Sequence, residues 1–188
     1  MNYADFTCDW DYIDFCSMVQ KTECDGAIPC YRGFHPHTIW SNYYAYVQEE
    51  QMCAWDIQEK KPFTNSPREE FASSGTYYFR SGELMQHYFE QCVVKDLTVN
   101  GEYYVSMAYK PMMKDRLNIQ VYELEHFMQW GTPADFEEYR YWSNTFRSIL
   151  DEQEPPKHKG ALILPMVGLG SRFQKEGYET PKPLITVS

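Results

Sequence analysis

The sequence has no apolar stretch approaching the roughly 20 residues that span a bilayer as a helix, and its start lacks the basic-then-apolar order of a secretory leader. A cytoplasmic location with no membrane partner is therefore the expectation. Positive charge is also scarce: 17 Lys and Arg face 27 Asp and Glu, a formal charge of -10. That balance opposes condensation onto nucleic acid or an anionic surface, so neither is expected as a partner, and any phosphate must be met by local basic residues. Six cysteines are present without order, at Cys8, Cys16, Cys24, Cys30, Cys53 and Cys92. No CxxC pair or recurring Cys/His spacing occurs, so neither a zinc site nor a disulfide scaffold is indicated and reduced thiols are expected. His35 and His37 lie two residues apart in a proline-containing loop, a spacing that rarely converges on a metal by itself, and no metal role is assigned to them.

What is present suits one substantial core: 188 residues, 43% apolar and 17% aromatic, too few for two ordinary domains. Asn2-Tyr3-Ala4-Asp5 reads as the tail of a strand, and Tyr12, Phe15, Met18 and Val19 repeat at helical spacing. Ala27 to Tyr31 reads as a strand, and Tyr43 to Val47 with Cys53 to Ile57 as a hairpin. Gly75 to Phe79 predicts a further strand, after which Ser81 caps a helix bearing Leu84, Met85, Tyr88, Phe89 and Cys92 on one face. Asn100-Gly101 breaks the chain before a short helix at about Glu102 to Met113. Ile119 to Leu124 reads as a strand, and Pro133, preceded by the natural cap Thr132, opens a helix to about Leu150. Alternating strands and helices predict an α/β fold. Pro155-Pro156 marks a stiff connector over 153–159, between a body at 1–152 and a last segment at 160–188.

The strongest chemical signal lies in that last segment. The apolar run Ala161 to Met166 is followed by Gly168-Leu169-Gly170-Ser171-Arg172-Phe173 and then Pro181-Lys182-Pro183. A strand running into a glycine-rich turn presents backbone N–H groups to a phosphate chain. Arg172 supplies two parallel donors, and Lys182, between two prolines of fixed φ, supplies a point charge with little backbone freedom to lose.

ILPMVGLGSRF with PKPLI resembles the N-terminal signature of the sugar-phosphate nucleotidyltransferases, in which that loop holds the triphosphate. Asn2-Tyr3-Ala4-Asp5, Glu59-Lys60, Ser74 to Phe79, Gly101 to Tyr104 and Trp130-Gly131-Thr132-Pro133 resemble later parts of the same family, closest to a branch associated with capsule and surface polysaccharides. The resemblance implies a Rossmann-like mixed sheet flanked by helices, and transfer of a nucleotidyl group from a nucleoside triphosphate to a sugar 1-phosphate. It implies Mg²⁺ held by Asp5, with Asp9 and Asp11 as further candidates. Arg172, Lys182 and Lys60 would carry catalysis, and Gly168, Gly170, Ser171, Glu59, Gly75 and Glu102 would bind substrate. Lys61 intervenes before Pro62, so either lysine could make the sugar-phosphate contact. Asp5 could instead cap a helix, Glu59-Lys60 could be a solvated charge cluster, and Glu102 a first-turn acid. A homo-oligomer is also among the expected partners.

The family's order is reversed here, with the aspartate at position 5 and the glycine loop at 168. The expectation is a chain carrying the later part of one such domain followed by the start of another, or else a permuted one. Two other classes stay open: a metal-dependent sugar transferase of related fold using Asp9-Trp10-Asp11, and a non-catalytic binding module.

Overall fold

The computed structural model describes residues 1–39 and 44–150, together with 174–175, 177 and 179–180. Met1–Ser148 forms one compact unit. Its elements run β1 (Phe6–Asp9), α1 (Tyr12–Thr22), β2 (Gly26–Tyr31), β3 (Ala45–Glu50), β4 (Cys53–Glu59), β5 (Phe71–Ser73), β6 (Tyr78–Phe79), α2 (Gly82–Val94), α3 (Tyr109–Lys114), β7 (Ile119–Glu123), β8 (His126–Gln129) and α4 (Pro133–Leu150). Short 3₁₀ turns lie at Pro36–Ile39, Pro67–Glu69 and Val105–Ala108.

The main sheet is ordered β5-β3-β4-β7-β2-β6, and β5 also pairs with β2. The β2–β7 pair is parallel and the others antiparallel, which makes this the mixed α/β sheet that the alternation of elements predicts. All six residues of β2 are buried, as expected of an apolar strand covered on both faces. One face packs Ile28, Val47, Ile57, Tyr109, Met112 and Ile119 with the helices α2 and α3. The other gathers Tyr31, Tyr44, Tyr46 and Phe127 under the β1–β8 ribbon, and α1 seals a third cluster through Phe15. Each such large side chain contributes about 1.5–3 kcal/mol when fully buried.

Three expectations about local structure are corrected. Asp5 does not end a strand; β1 begins after it and pairs antiparallel with β8, a ribbon the sequence pattern did not reveal. Of the single strand predicted over Gly75 to Phe79 only Tyr78–Phe79 forms, as β6; β5 lies just before the run, and both are laid along β2. Between the pairs Cys30↔Ser73 and Ala27↔Tyr78, β2 advances three residues while its neighbour advances five. Pro29, which has no N–H to give, lies opposite this bulge and only accepts, from Ser74 N at 2.9 Å. The helix predicted from Glu102 starts later. Asn100 and Gly101 both adopt positive φ (54° and 80°) and close a tight turn with a Val99↔Glu102 bridge, so Glu102 sits in the turn and the 3₁₀ segment begins only at Val105.

The first residues are seated by glycine. Tyr3 N donates to Gly75 O at 3.1 Å, Tyr77 N donates to Met1 O at 2.8 Å, and Trp130 N donates to Asp5 O at 2.8 Å. Gly75 has φ +81°, and a Cβ there would stand 2.6 Å from the Tyr3 ring; a Cβ on Gly131 would stand 2.8 Å from Asp5 Oδ2. At Gly75 a side chain would have to displace the Tyr3 ring from a left-handed backbone position, whereas at Gly131 it would only have to shift the Asp5 carboxylate.

His35 and His37 prove to be core residues. Both pack edge-on with Tyr31; His37 Nε2 is 2.8 Å from Tyr31 Oη, and His35 lies against the carbonyls of Arg32 and Phe127. Burial, and then the neighbouring His35, lowers the His37 pKa from 6.5 to about 4, against the pull of Asp135.

Two predictions follow from the packing. Gly75→Ala should lose about 2–4 kcal/mol in urea unfolding, from left-handed strain plus displacement of Tyr3. Gly82→Ala, in the first turn of α2 with open space around it, should gain about 0.5–1 kcal/mol; equal stabilities for the two variants would remove the seating role of Gly75. A buried neutral His37 stabilises fully above pH 6.5 and loses its contribution as pH falls through about 4. The wild-type chain should therefore lose on the order of 3 kcal/mol more than His37→Gln between pH 7 and pH 4, and parallel pH profiles would contradict this.

Candidate functional site

One end of the sheet collects most of the described residues singled out in the sequence. β4 ends in Glu59, whose side chain turns inward and accepts a hydrogen bond from Ser106 Oγ, leaving it 7% exposed. Burial raises the Glu59 pKa, while the Ser106 hydrogen bond and Lys60 oppose the rise. The chain then bends at Lys60, which takes φ 57°, with its N–H donating to Tyr44 O at 3.2 Å. Lys60 Nζ donates to Tyr104 Oη at 2.5 Å, and Tyr104 Oη donates in turn to Glu102, whose carboxylate is 4.0 Å from the ammonium. The Tyr104 hydrogen bond raises the Lys60 pKa, and Glu102 and Glu59 add to the rise. Lys60 is thus the lysine engaged with the other candidate residues, while Lys61 is exposed with no described partner.

Two tyrosines join this group to Asp5. Tyr3 is pushed up to about 12, first by burial and then by the negative fields of Glu59, Tyr104 and Asp5. Tyr44 is raised by burial and then by Asp5, and its ring is among the atoms nearest a Cβ built on Gly75. Asp5 and Glu59 therefore lie near Tyr3, Gly75 lies against Tyr3 and Tyr44, and Lys60 and Glu102 join this group through Tyr104. Asp5 does not cap a helix: α1 is capped by Asp11, whose carboxylate accepts from Ile13 N and Asp14 N at 2.9 Å each. One Asp5 oxygen, Oδ1, is buried without a hydrogen-bond partner. A buried carboxylate oxygen without a donor is costly unless a cation meets it.

The Asp9-Trp10-Asp11 motif does not converge on a metal. Asp11 is occupied as a cap, Trp10 packs on Phe15 and Tyr122, and Asp9 is exposed on β1 opposite His126. Arg80 pairs with Asp25 at 2.6 Å. Among the described residues no group of three or more His, Cys, Asp or Glu side chains could hold a metal ion. Mg²⁺, however, is commonly held by one or two carboxylates together with substrate phosphates and water, and the orphaned Asp5 oxygen fits that use.

Gly168, Gly170, Ser171, Arg172 and Lys182 lie outside the described residues, as does the connector at 153–159. The sequence pattern assigns no site role to Tyr3, Tyr44, Tyr104 or Ser106. Tyr104 bridges Lys60 to Glu102, and Ser106 holds Glu59. The two-residue spacing Tyr104-x-Ser106, facing Glu59-Lys60 across the sheet end, carries no periodic signal.

No protein-family model matches the chain, and no curated protein matches it. Solved structures do. The nucleoside-diphosphate-sugar pyrophosphorylase from Vibrio cholerae RC9 aligns with TM-score 0.55 at 16% identity, covering 72% of this chain and 52% of that one. A UDP-glucose pyrophosphorylase complexed with UDP-glucose aligns with TM-score 0.54 at 17% identity, covering 74% and 54%. The chain thus spans about half the length of these structures. Across that span, it has the fold of nucleotide-sugar pyrophosphorylases.

Proposed function

We propose that this chain serves nucleotidyl transfer from a nucleoside triphosphate to a sugar 1-phosphate, giving a nucleotide sugar and pyrophosphate for surface-polysaccharide synthesis. The observation that carries the reading is the grouping of Asp5, Glu59, Lys60, Gly75 and Glu102 at one sheet end, around an Asp5 oxygen with no donor. The shared fold with sugar-nucleotide pyrophosphorylases supports it.

In this reaction an oxygen of the sugar phosphate attacks the α-phosphorus in line and pyrophosphate leaves. Lys60 would meet the sugar phosphate, with its ammonium held in place by Tyr104 and Glu102. Glu59, fixed by Ser106, would accept a sugar hydroxyl. Gly168, Gly170 and Ser171 would line the triphosphate, with Arg172 and Lys182 as its cations. Asp5 would hold Mg²⁺, which supplies charge neutralisation of the phosphates when bound. The occupied state of Asp11 and Trp10 disfavours the sugar-transferase alternative built on that motif.

The test is pyrophosphate exchange across nucleotide and sugar-phosphate pairs, with magnesium present and absent. Magnesium-dependent exchange with at least one pair is expected, and silence across all of them would overturn the reading. Lys60→Ala should cut exchange by about 10²–10³-fold. Glu59→Gln should weaken sugar-phosphate use about tenfold without loss of stability at pH 7. A carboxyl whose folded pKa is raised stabilises below its ordinary pKa, and that contribution is gone once pH has risen through the raised value. A Glu59→Gln chain that unfolds more easily at pH 7 would show the residue to be structural.

A further inference from the structure

A second cleft opens beside this site, on the face of the sheet floored by Tyr31, Tyr46 and Ala72. Its volume is about 670 Å³, within the usual range for small-molecule pockets. Two segments form its walls: Arg32 to Thr38, which leaves β2, and Pro62 to Glu70, which follows Lys60. They are tied together by Gly33 N donating to Arg68 O at 2.6 Å and by Arg68 Nη2 donating to Thr38 O at 3.3 Å. Gly33 has φ +85° and open space where a Cβ would stand, so the rim beside Arg68 is unobstructed.

The charge in this cleft runs against the rest of the chain. Arg32, Lys60 and Arg68 all line it, in a protein with only 17 basic residues and a formal charge of -10. Two carboxylates line it as well: Glu69 is exposed on the same wall as Arg68 and stays a negative charge there, while Glu70 is consumed by its own loop, accepting from Phe63 N, Thr64 N and Thr64 Oγ1 at 2.6–2.8 Å. Arg32 is forked onto Glu123 at 2.7 and 3.2 Å. Arg68 is different. Its single hydrogen bond to Thr38 O leaves most of its five N–H donors without a partner among the described residues. Asn65 and Ser66 add amide and hydroxyl groups on the same wall, and neither side chain makes a described intramolecular hydrogen bond as a donor.

From this arrangement we infer that the cleft is a second ligand site, taking a small phosphate ester of a sugar or polyol. Arg68 grips the phosphate and Asn65 and Ser66 meet the hydroxyls. The volume is far larger than a bare phosphate requires, and the polar wall suits hydroxyls better than an apolar tail. The site is separate from the proposed transfer site, because Asp5, Glu59, Gly75 and Glu102 do not line it and only Lys60 borders both. The inference goes beyond nucleotidyl transfer and does not depend on it.

The test is calorimetric titration of the whole chain with glucose 6-phosphate, alongside glucose and inorganic phosphate. Saturable binding of the ester is expected, tighter than either control. Arg68→Gln should weaken it about tenfold, the loss of one charge-assisted contact. Arg68→Lys should restore part of the affinity, and Glu59→Gln should leave it unchanged. Because Arg68 is exposed, both arginine variants should keep the wild-type unfolding midpoint. No saturable binding, equal affinity in Arg68→Gln, or phosphate binding as tightly as the ester would each overturn the inference. Loss of binding in Glu59→Gln with Arg68→Gln unaffected would also overturn it, by moving the ligand to the transfer site. Failure of pyrophosphate exchange would leave the titration result untouched.

Discussion

The close approach of residues Tyr3 to Asp5 to the backbone at Gly75 and Gly131 governs the candidate site. The Tyr3 ring occupies the space of one missing Cβ, at a left-handed position, and the Asp5 carboxylate occupies that of the other, where a side chain would have to turn it aside. Backbone hydrogen bonds from Tyr3 N to Gly75 O and from Trp130 N to Asp5 O then fix the segment in register. With Tyr3 so placed, its ring lies within the fields of Glu59, Tyr104 and Asp5. The bend at Lys60, tied to Tyr44 O, completes the same neighbourhood. Position in the sequence matters little here; residues 3, 44, 59, 75, 104 and 131 meet because two positions carry no side chain.

The electrostatics of that neighbourhood are unfavourable to the bare fold. Asp5, Glu59 and Glu102 bring three carboxylates together, and Lys60 is their one cation among the described site residues. Burial makes the ionised form of Glu59 costly, and burial, followed by the negative surroundings, holds Tyr3 and Tyr44 far from ionisation. The orphaned Asp5 oxygen adds a desolvation cost with no return from a hydrogen bond. A surface chosen only for stability would place apolar or hydrogen-bonded groups at these positions. Costs of this kind concentrate where a ligand later repays them.

Much of this was legible in the sequence. The helices at Tyr12 and Gly82 follow from apolar spacing, the second also from its cap Ser81, and the β3–β4 hairpin follows from its aromatic and β-branched runs. Glu59, Lys60, Gly75, Glu102 and Asp5 were also identifiable, as matches to motifs whose residues do meet. What stayed hidden depends on long-range pairing. β1 and β8 are four residues each and gain their identity only from one another across more than a hundred positions. The shortening of the Gly75 to Phe79 run to two paired residues accompanies a bulge opposite a proline on the neighbouring strand, which no local pattern records. Tyr3, Tyr104 and Ser106 have no spacing signal because their roles arise from three separate segments converging.

The balance of charge also sets how the work of phosphate binding must be divided. A triphosphate and a sugar phosphate together bring several negative charges to a place that already holds three carboxylates and one lysine. Coulomb repulsion at separations of about 4–6 Å in a partly buried site amounts to several kcal/mol per pair, more than Lys60 alone offsets. Nucleotidyl transfer at this sheet end therefore demands added positive charge of two kinds. A divalent ion on Asp5 would convert the carboxylates from a liability into ligands. Further cations beyond Lys60 would neutralise the remainder, since one ammonium balances only one of the charges gathered there.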